Sequence, residues 1–187
     1  MKVIEQEIHS LKNSISEMWA LVHQQLYNAG EAMLTGDKEL AYKVISRERR
    51  VNAFELKIDS DCEDIIALYA PVAIDLRFVL AMYKINTNLE RLGDFAESIA
   101  RFAGNLPEGE PIDPQLVKET RVEEMLSELL SMISLTKEAF EKESSEIASR
   151  IFLKDNLIDE INHNSTAIIA KYIEEHKGSA LAGLYMA

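Results

Sequence analysis

The sequence predicts an all-α protein made of two tandem three-helix bundles. Apolar residues recur at three- and four-residue steps along most of the 187 residues, which is the period of helices with one buried face. Three of the four prolines fall between Pro107 and Pro114, a position that would divide the chain into halves. Glu48 and Asn52 correspond to Asp155 and Asp159 at a constant offset of 107 residues, which indicates an internal repeat.

The first repeat, residues 1–104, is predicted to contain three long helices. They run from about 4 to 27 or a little beyond, from 38 to 69, and from 72 to 103. Gly36-Asp37 breaks the pattern after the first helix, and Asp37 is a suitable cap for the second. Pro71 separates the second helix from the third, because proline fits a helix only at its start.

The second repeat follows a linker rich in proline and glycine at 105–115 and spans residues 116–187. One helix is predicted from 116 to 142 and another from 145 to 176, with a break at 177–179 and a stub at 180–187. The second bundle is therefore predicted to lack most of its third helix. The architecture is that of two spectrin-like repeats, the second incomplete at its C-terminus.

Composition narrows the classes of function. A net charge of −12 opposes binding to a phosphate backbone, so nucleic acid is excluded as a partner. The single cysteine cannot form an intrachain disulfide, which favours a reducing compartment. No export signal and no apolar run of membrane-spanning length is visible, so we expect a cytoplasmic protein that does not insert into the membrane.

Two rows of oxygen-bearing side chains lie beside the apolar stripes of the second and third helices. Spacings of three and four place each row on one helix face, and antiparallel packing would bring the rows together. Carboxylate and amide oxygens suit a hard cation such as Mg, Mn, Ca or ferric iron. The rows are Glu48, Asn52, Glu55 and Asp59 on the second helix, and Asn86, Glu90, Asp94 and Glu97 on the third.

A plainer interpretation is that these rows are solvated faces. Arg47, Arg49, Arg50 and Arg91 are near enough in sequence to form surface ion pairs with the acids. Gly93 lies within the third helix, where glycine costs about 1 kcal/mol relative to alanine. Close packing of two helices is the simpler explanation for it, and room for a ligand is the alternative.

Three further features concern partners and catalysis. Asp75 falls in the first turn of the third helix, where the helix dipole favours an anion, and Arg77 can pair with an acid or recognise phosphate. Glu160 and His163 form one Glu-x-x-His pair, whereas a ferritin-like di-iron enzyme needs two. No phosphate loop or nucleophile motif is present, so no catalytic residues are assigned.

The sequence resembles the PhoU family of phosphate-signalling regulators in three stretches. They are ERRVNAFELKID at 48–59, APVAIDLR at 70–77 and LERLGDFAESIAR at 89–101. Glu90 and Asp94 match the family's Glu/Asp-x-x-x-Asp metal motif, with Arg91 and Gly93 between them. The likeness covers the first half well and the fifth predicted helix, through Asp155 and Asp159, more loosely.

The resemblance implies a cytoplasmic, homodimeric regulator that binds iron, zinc, manganese or magnesium. The implied ligands are Glu90 and Asp94 with Glu48, Asn52 and Glu55, and in the second repeat Asp155 and Asp159. The implied role is to dampen the phosphate-starvation response by bridging the ATPase subunit of the phosphate ABC transporter and a membrane sensor kinase. The second copy of the motif would fall at 197 and 201, past the last residue of this 187-residue sequence.

Two other functions stay open at this stage. One is a carboxylate-metal enzyme on a helical bundle, which the missing second Glu-x-x-His disfavours. The other is a metal-free structural or interaction bundle whose incomplete second half exposes an apolar groove.

Overall fold

The computed structural model describes residues 3–106 and 111–175. Within these two ranges the regular structure consists of six α-helices and no β-strand, so the prediction of an all-α fold is confirmed. The helices are α1 (Val3–Thr35), α2 (Lys38–Tyr69), α3 (Ala73–Asn105), α4 (Pro114–Thr120), α5 (Val122–Glu141) and α6 (Ser145–Glu175).

The first three helices form the predicted three-helix bundle. They pack pairwise against one another, and their buried stripes meet in a core that includes Ile15, Val22, Val44, Ile58 and Val79, each 0% exposed. α1 runs to Thr35, eight residues beyond the predicted end at Tyr27, because its buried stripe continues through Ala29, Ala32 and Met33. At 33 residues it is about 50 Å long.

The turns of the first bundle match the sequence signals. Gly36 has a φ of 70°, and the Asp37 side chain accepts a hydrogen bond of 2.9 Å from the backbone N–H of Leu40, capping α2 as predicted. α2 ends one residue before Ala70, which has a left-handed φ of 44°, and Pro71 is buried between the two helices.

The prediction of a single helix from 116 to 142 is wrong. The segment contains two helices that are separated at Arg121, whose φ is 55°. The Arg121 guanidinium binds the carboxylate of Glu124 on α5 at 2.7 and 2.9 Å and that of Glu160 on α6 at 3.0 Å. These contacts link Arg121 at the break to α5 and α6.

The second half is built on α5 and α6, with α4 packed against both. Pro114 begins α4 two residues earlier than predicted, and Asp113 caps it by accepting from the backbone N–H of Gln115. Asp113 also accepts a 2.8 Å hydrogen bond from the hydroxyl of Tyr172, which ties α4 to the end of α6. The predicted break at 177–179 and the stub at 180–187 lie outside the described residues, and the boundaries at 104 and 116 stay a prediction.

α1 joins the two halves through its contact with α5. The Trp19 indole N–H donates to the carbonyl of Ile133 at 3.2 Å, and its ring stacks on Phe140 with a centroid separation of 5.8 Å. Nearer the N-terminus, Lys12 forms a 3.1 Å ion pair with Glu143. Of the helices in the described ranges, none has the length and apolar character needed to cross a bilayer.

Candidate metal centre

The acidic rows on α2 and α3 do face one another. The two helices pack side by side, and carboxylates on one raise the pKa of carboxylates on the other. Glu48, Asn52, Glu55, Glu90 and Glu97 are half-buried, and Asp94 is exposed at the edge of the row. The packing therefore places like charges together along one groove.

Glu90 lies at the middle of this arrangement. Burial is the main cause that raises the pKa of its carboxyl above the usual value, followed by the negative charges of Asp94, Glu55 and Glu48. The hydrogen bond between Glu90 and Asp94 raises the pKa of Glu90 further. The two acids of the Glu-x-x-x-Asp motif thus share one environment, in which burial and the charge of Asp94 oppose the ionisation of Glu90.

Glu48 and Glu55 on α2 show the same effect. Burial raises the pKa of Glu48, and the charges of Glu97 and Asp94 across the groove add to it, while a hydrogen bond from Asn52 opposes them. Burial also raises the pKa of Glu55, together with the charges of Asp59 and Asp94. Excess negative charge on a partly desolvated surface is what a hard cation neutralises.

Two asparagines extend the oxygen set. Asn86 is 0% exposed, and its amide nitrogen donates to the backbone carbonyl of Glu55 at 2.9 Å and to the Asp59 carboxylate at 2.7 Å. The amide oxygens of Asn86 and Asn52 are buried and accept no hydrogen bond. A buried acceptor without a partner costs free energy. A cation or a water molecule bound by these two oxygens would remove that cost.

Gly93 accounts for the close approach of the two helices. A Cβ atom at this position would lie 2.8 Å from Cγ1 of Val51 on α2, closer than carbon atoms pack. The structure thus supports close packing as the reason for glycine here. The glycine brings the two acidic rows within electrostatic reach of each other.

The surface ion pairs of the plainer interpretation are not formed among the described residues. Within the described ranges, Arg47, Arg49, Arg50 and Arg91 form no salt bridge, although Arg50 lies 5.9 Å from the ring centre of Phe54. The cation that does pair with the row is Arg101, which binds Glu97 at 2.6 Å. Sequence reasoning missed Arg101, although its four-residue distance from Glu97 is the signal for such a pair.

The positions of the candidate ligands support a metal site less well than their charges do. In the described parts of the chain, no three His, Cys, Asp or Glu side chains converge closely enough to hold a metal ion as they stand. The raised pKa values come from burial and from repulsion between the carboxylates, and they do not indicate coordination. The chemistry of the donor set fits a hard cation, and binding requires the carboxylates to come closer together.

The other predicted site residues lie elsewhere. Asp155 and Asp159 are exposed on α6, which packs against α4 and α5 and so belongs to the second half. Glu160 on the same helix pairs with Arg121, and His163 is exposed. Asp75 is in the first turn of α3 as predicted, and Arg77 is exposed beside it at the edge of a cavity.

Comparison with known proteins defines the class. Residues 15–103 match the PhoU domain. The chain is 33% identical over 171 residues to the phosphate-specific transport system accessory protein PhoU homolog of Aquifex aeolicus, which covers 90% of this chain and 75% of that protein. It is 31% identical over 183 residues to PhoU homolog 1 of Thermotoga maritima, covering 97% and 78% of the two chains.

The solved structure of PhoU from Pseudomonas aeruginosa is similar along nearly the whole chain. It superposes with a TM-score of 0.90 at 27% sequence identity, covering 97% of this chain and 86% of the other. Fold and sequence therefore define a helical accessory protein related to phosphate transport. The chain belongs to the PhoU family.

Proposed function

We propose that this protein is a metal-binding negative regulator of phosphate uptake and of phosphate-starvation signalling. In this role it acts in the cytoplasm, as a homodimer, and joins the ATPase subunit of a phosphate ABC transporter to a membrane sensor kinase. It performs no catalysis of its own. The observation that carries the proposal is the acidic groove between α2 and α3, found in a chain that belongs to the PhoU family.

The groove supplies the reason for a metal. Glu90 and Asp94 on α3 lie opposite Glu48 and Glu55 on α2, and the unpaired amide oxygen of Asn52 is beside them. A bound Fe, Zn, Mn or Mg ion would neutralise this charge and crosslink the two helices. The residues themselves hold the ion, fix the spacing of α2 and α3, and shape the acidic face that a partner meets.

Metal binding is tested on protein freed of metal by a chelator. Addition of Mn²⁺, Zn²⁺ or Mg²⁺ is expected to raise the melting temperature, since a ligand bound only by the folded state stabilises it. The double substitution Glu90→Gln with Asp94→Asn should abolish this rise. The matched control, Asp155→Asn with Asp159→Asn on α6, should leave it unchanged. A wild-type protein that gains no stability from any of these ions contradicts the metal part of the proposal.

The regulatory role is tested by a phosphate-starvation reporter in a strain that lacks the gene. In ample phosphate the reporter is expected to turn on, and the intact gene should silence it. Rescue by the Glu90→Gln, Asp94→Asn variant then shows whether regulation depends on the groove. A reporter that stays off in the deletion strain rejects the regulatory role while leaving the result of the metal experiment standing.

A metal-free interaction bundle is the rival function. It is favoured by the separation of the carboxylates, since no three of the described acidic, histidine or cysteine side chains form a ready metal site. In that case the groove would be an electrostatic surface for a basic partner. Removal of metal by a chelator distinguishes the two functions. Chelation lowers partner binding if the metal shapes the surface, and it leaves partner binding unchanged if the bundle works without metal.

A further inference from the structure

The end of the first bundle where α2 turns into α3 exposes three large apolar side chains. Leu68 is 72% exposed, Val72 73% and Ile74 78%. They lie within seven residues of each other. We call these three side chains, together with the cavity beside Ile74 and the cavity beside Leu68, the apex surface. Clusters of large apolar side chains exposed on a protein surface mark sites of interaction, because burying them is favourable.

The backbone of the turn presents these side chains outward. Ala70 has a φ of 44° and Ala73 a φ of 49°, and a left-handed conformation costs a non-glycine residue about 1–2 kcal/mol. Such strain persists where the surrounding structure fixes it, and the buried Pro71 lies between the two alanines. The turn therefore holds Val72 in a defined position at the tip of the bundle.

Ligand sites in proteins typically have volumes of about 300–1,000 Å³. The cavity beside Ile74 has a volume of about 740 Å³. It opens between α1, α3 and the end of α5, and its apolar lining continues from the exposed Ile74. A large apolar side chain of a partner fits a recess of this kind as an anchor. The large apolar side chains of the lining are Ile8, Ile74, Phe78, Met82, Ile85 and Phe140.

The surroundings of the apex surface are acidic. A second cavity of about 230 Å³ beside Leu68 is lined by Glu7, Asp61 and Asp64. The two cavities together are lined by six carboxylates and three full cations. Two of those cations are already occupied, Lys12 by Glu143 at 3.1 Å and Lys57 by Asp61 at 2.7 Å.

We propose that the apex surface docks a basic amphipathic helix of another protein. The apolar face of that helix covers Leu68, Val72 and Ile74 and places one large side chain in the 740 Å³ cavity. Its lysines and arginines face Glu7 and Asp64, and the acidic rim raises the association rate and selects the sign of the partner's charge. The docking site is separate from the metal groove, so it goes beyond the proposed function and does not depend on it.

The same charge argues against two other occupants. An anionic lipid surface is repelled by the carboxylates of the apex surface. A second copy of this chain carries the same surface and a net charge of −12, so it offers no basic face of matching strength. Both are included in the experiment because each predicts a different result.

The probe is a fluorescent synthetic peptide of leucine and lysine that folds as an amphipathic helix, with a leucine and glutamate peptide of the same pattern as its counterpart. The lysine peptide is expected to bind the full chain, and the glutamate peptide is not. Leu68→Ser combined with Ile74→Ser should weaken binding about tenfold, the scale of losing an anchor residue. The matched control, Phe152→Ser with Leu153→Ser, removes side chains that are 76% and 75% exposed on α6 and should change nothing.

Circular dichroism of both variants establishes that they are folded, which is expected because all four side chains are exposed. Equal weakening by the control pair would mean non-specific attraction and overturn the proposal. Loss of a homodimer in the apex variant, measured by light scattering, would assign the surface to a second copy and overturn it as well. So would binding to phosphatidylglycerol vesicles that the apex variant loses.

Discussion

Gly93 shows how one residue sets the geometry of the candidate site. The absence of a side chain lets Val51 approach the α3 backbone, and this approach brings Glu48 and Glu55 opposite Glu90 and Asp94. Helix stability would favour alanine at this position by about 1 kcal/mol. The packing of α2 on α3 outweighs that preference.

We predict that Gly93→Ala destabilises the protein. A Cβ at 2.8 Å from Val51 Cγ1 forces the helices apart, and overpacking of this kind costs about 1–3 kcal/mol, more than alanine recovers in helix propensity. Urea unfolding measures the change. Val51→Ala should partly rescue the variant, so that the double substitution costs less than the sum of the two single ones. A Gly93→Ala protein as stable as wild type would show that Val51 yields without cost.

Glu90 is also expected to make the stability of the folded protein depend on pH. Its pKa in the folded state is raised above the ordinary value of 4.5, so the folded state holds the proton more tightly than the unfolded state. The free energy of unfolding contributed by Glu90 therefore falls as the pH rises from about 4.5 through the raised value, and the loss is complete above it. In metal-free protein, Glu90→Gln is expected to raise stability at neutral pH and to flatten this decline.

Glu138 provides the control of opposite sign. The hydrogen bond from Lys142 lowers the pKa of Glu138, so its ionised form is favoured in the folded state. Glu138→Gln should not raise stability at neutral pH. Denaturant unfolding of both variants across the acidic to neutral range compares them, and a Glu90→Gln protein less stable than wild type at neutral pH contradicts the repulsion described here.

Single residues differ in how far the sequence predicts them. The rows that contain Glu48 and Glu90 follow from helical spacing alone, because three- and four-residue steps fix a common face. The unpaired oxygens of Asn52 and Asn86 do not, since they depend on how far α2 is shifted along α3. Spacing on one helix carries no information about that register.

At the scale of a helix, Asp37 determines where α2 begins. Its side chain satisfies the backbone N–H of Leu40 at 2.9 Å, a donor that has no partner within the helix. Asp37→Ala is expected to cost about 1 kcal/mol of stability, measured by thermal or urea unfolding. Asp37→Asn keeps the acceptor and should cost little. Glu39→Ala in the same first turn is the control, and a loss as large as that of Asp37→Ala would assign the effect to charge and not to capping.

The break between α4 and α5 marks the limit of prediction for helices. The apolar spacing runs on through residues 116–142, and no glycine or proline interrupts it. Arg121 has a left-handed conformation at the break, where its guanidinium binds Glu124 and Glu160, and Glu160 is 39 residues away. Local sequence signals such as Asp37 and Pro71 were sufficient for the first bundle, where the turns are made by the residues within them.

At the scale of the whole molecule, the contact between the halves includes the stacked rings of Trp19 and Phe140. Phe140→Ala removes the stacked ring and is expected to lower stability by about 1–3 kcal/mol, less than for a fully buried ring because Phe140 is half-buried. Trp19 is the only tryptophan of the sequence, so its emission reports this contact. The emission of the folded variant should shift to longer wavelength as water reaches the indole.

Phe95→Ala is the control for that prediction. Phe95 is 55% exposed on α3, and its removal should alter neither the emission of Trp19 nor the stability by a measurable amount. If Phe140→Ala leaves the emission unchanged, the stacking seen between the two rings does not shield the indole. The helical repeat pattern predicts two bundles, but no sequence pattern indicates which aromatic residues join them, because that contact spans more than a hundred positions.

The same contact has a consequence for the newborn chain. The indole of Trp19 binds a carbonyl 114 residues further on, and a ribosome needs roughly 6–23 s to add that many residues at 5–20 per second. All three helices of the first bundle end by Asn105, so they are synthesised before α5. For those seconds each nascent chain exposes the face of α1 that carries Trp19, and on a crowded polysome that face is where a chaperone or a neighbouring nascent chain would bind first.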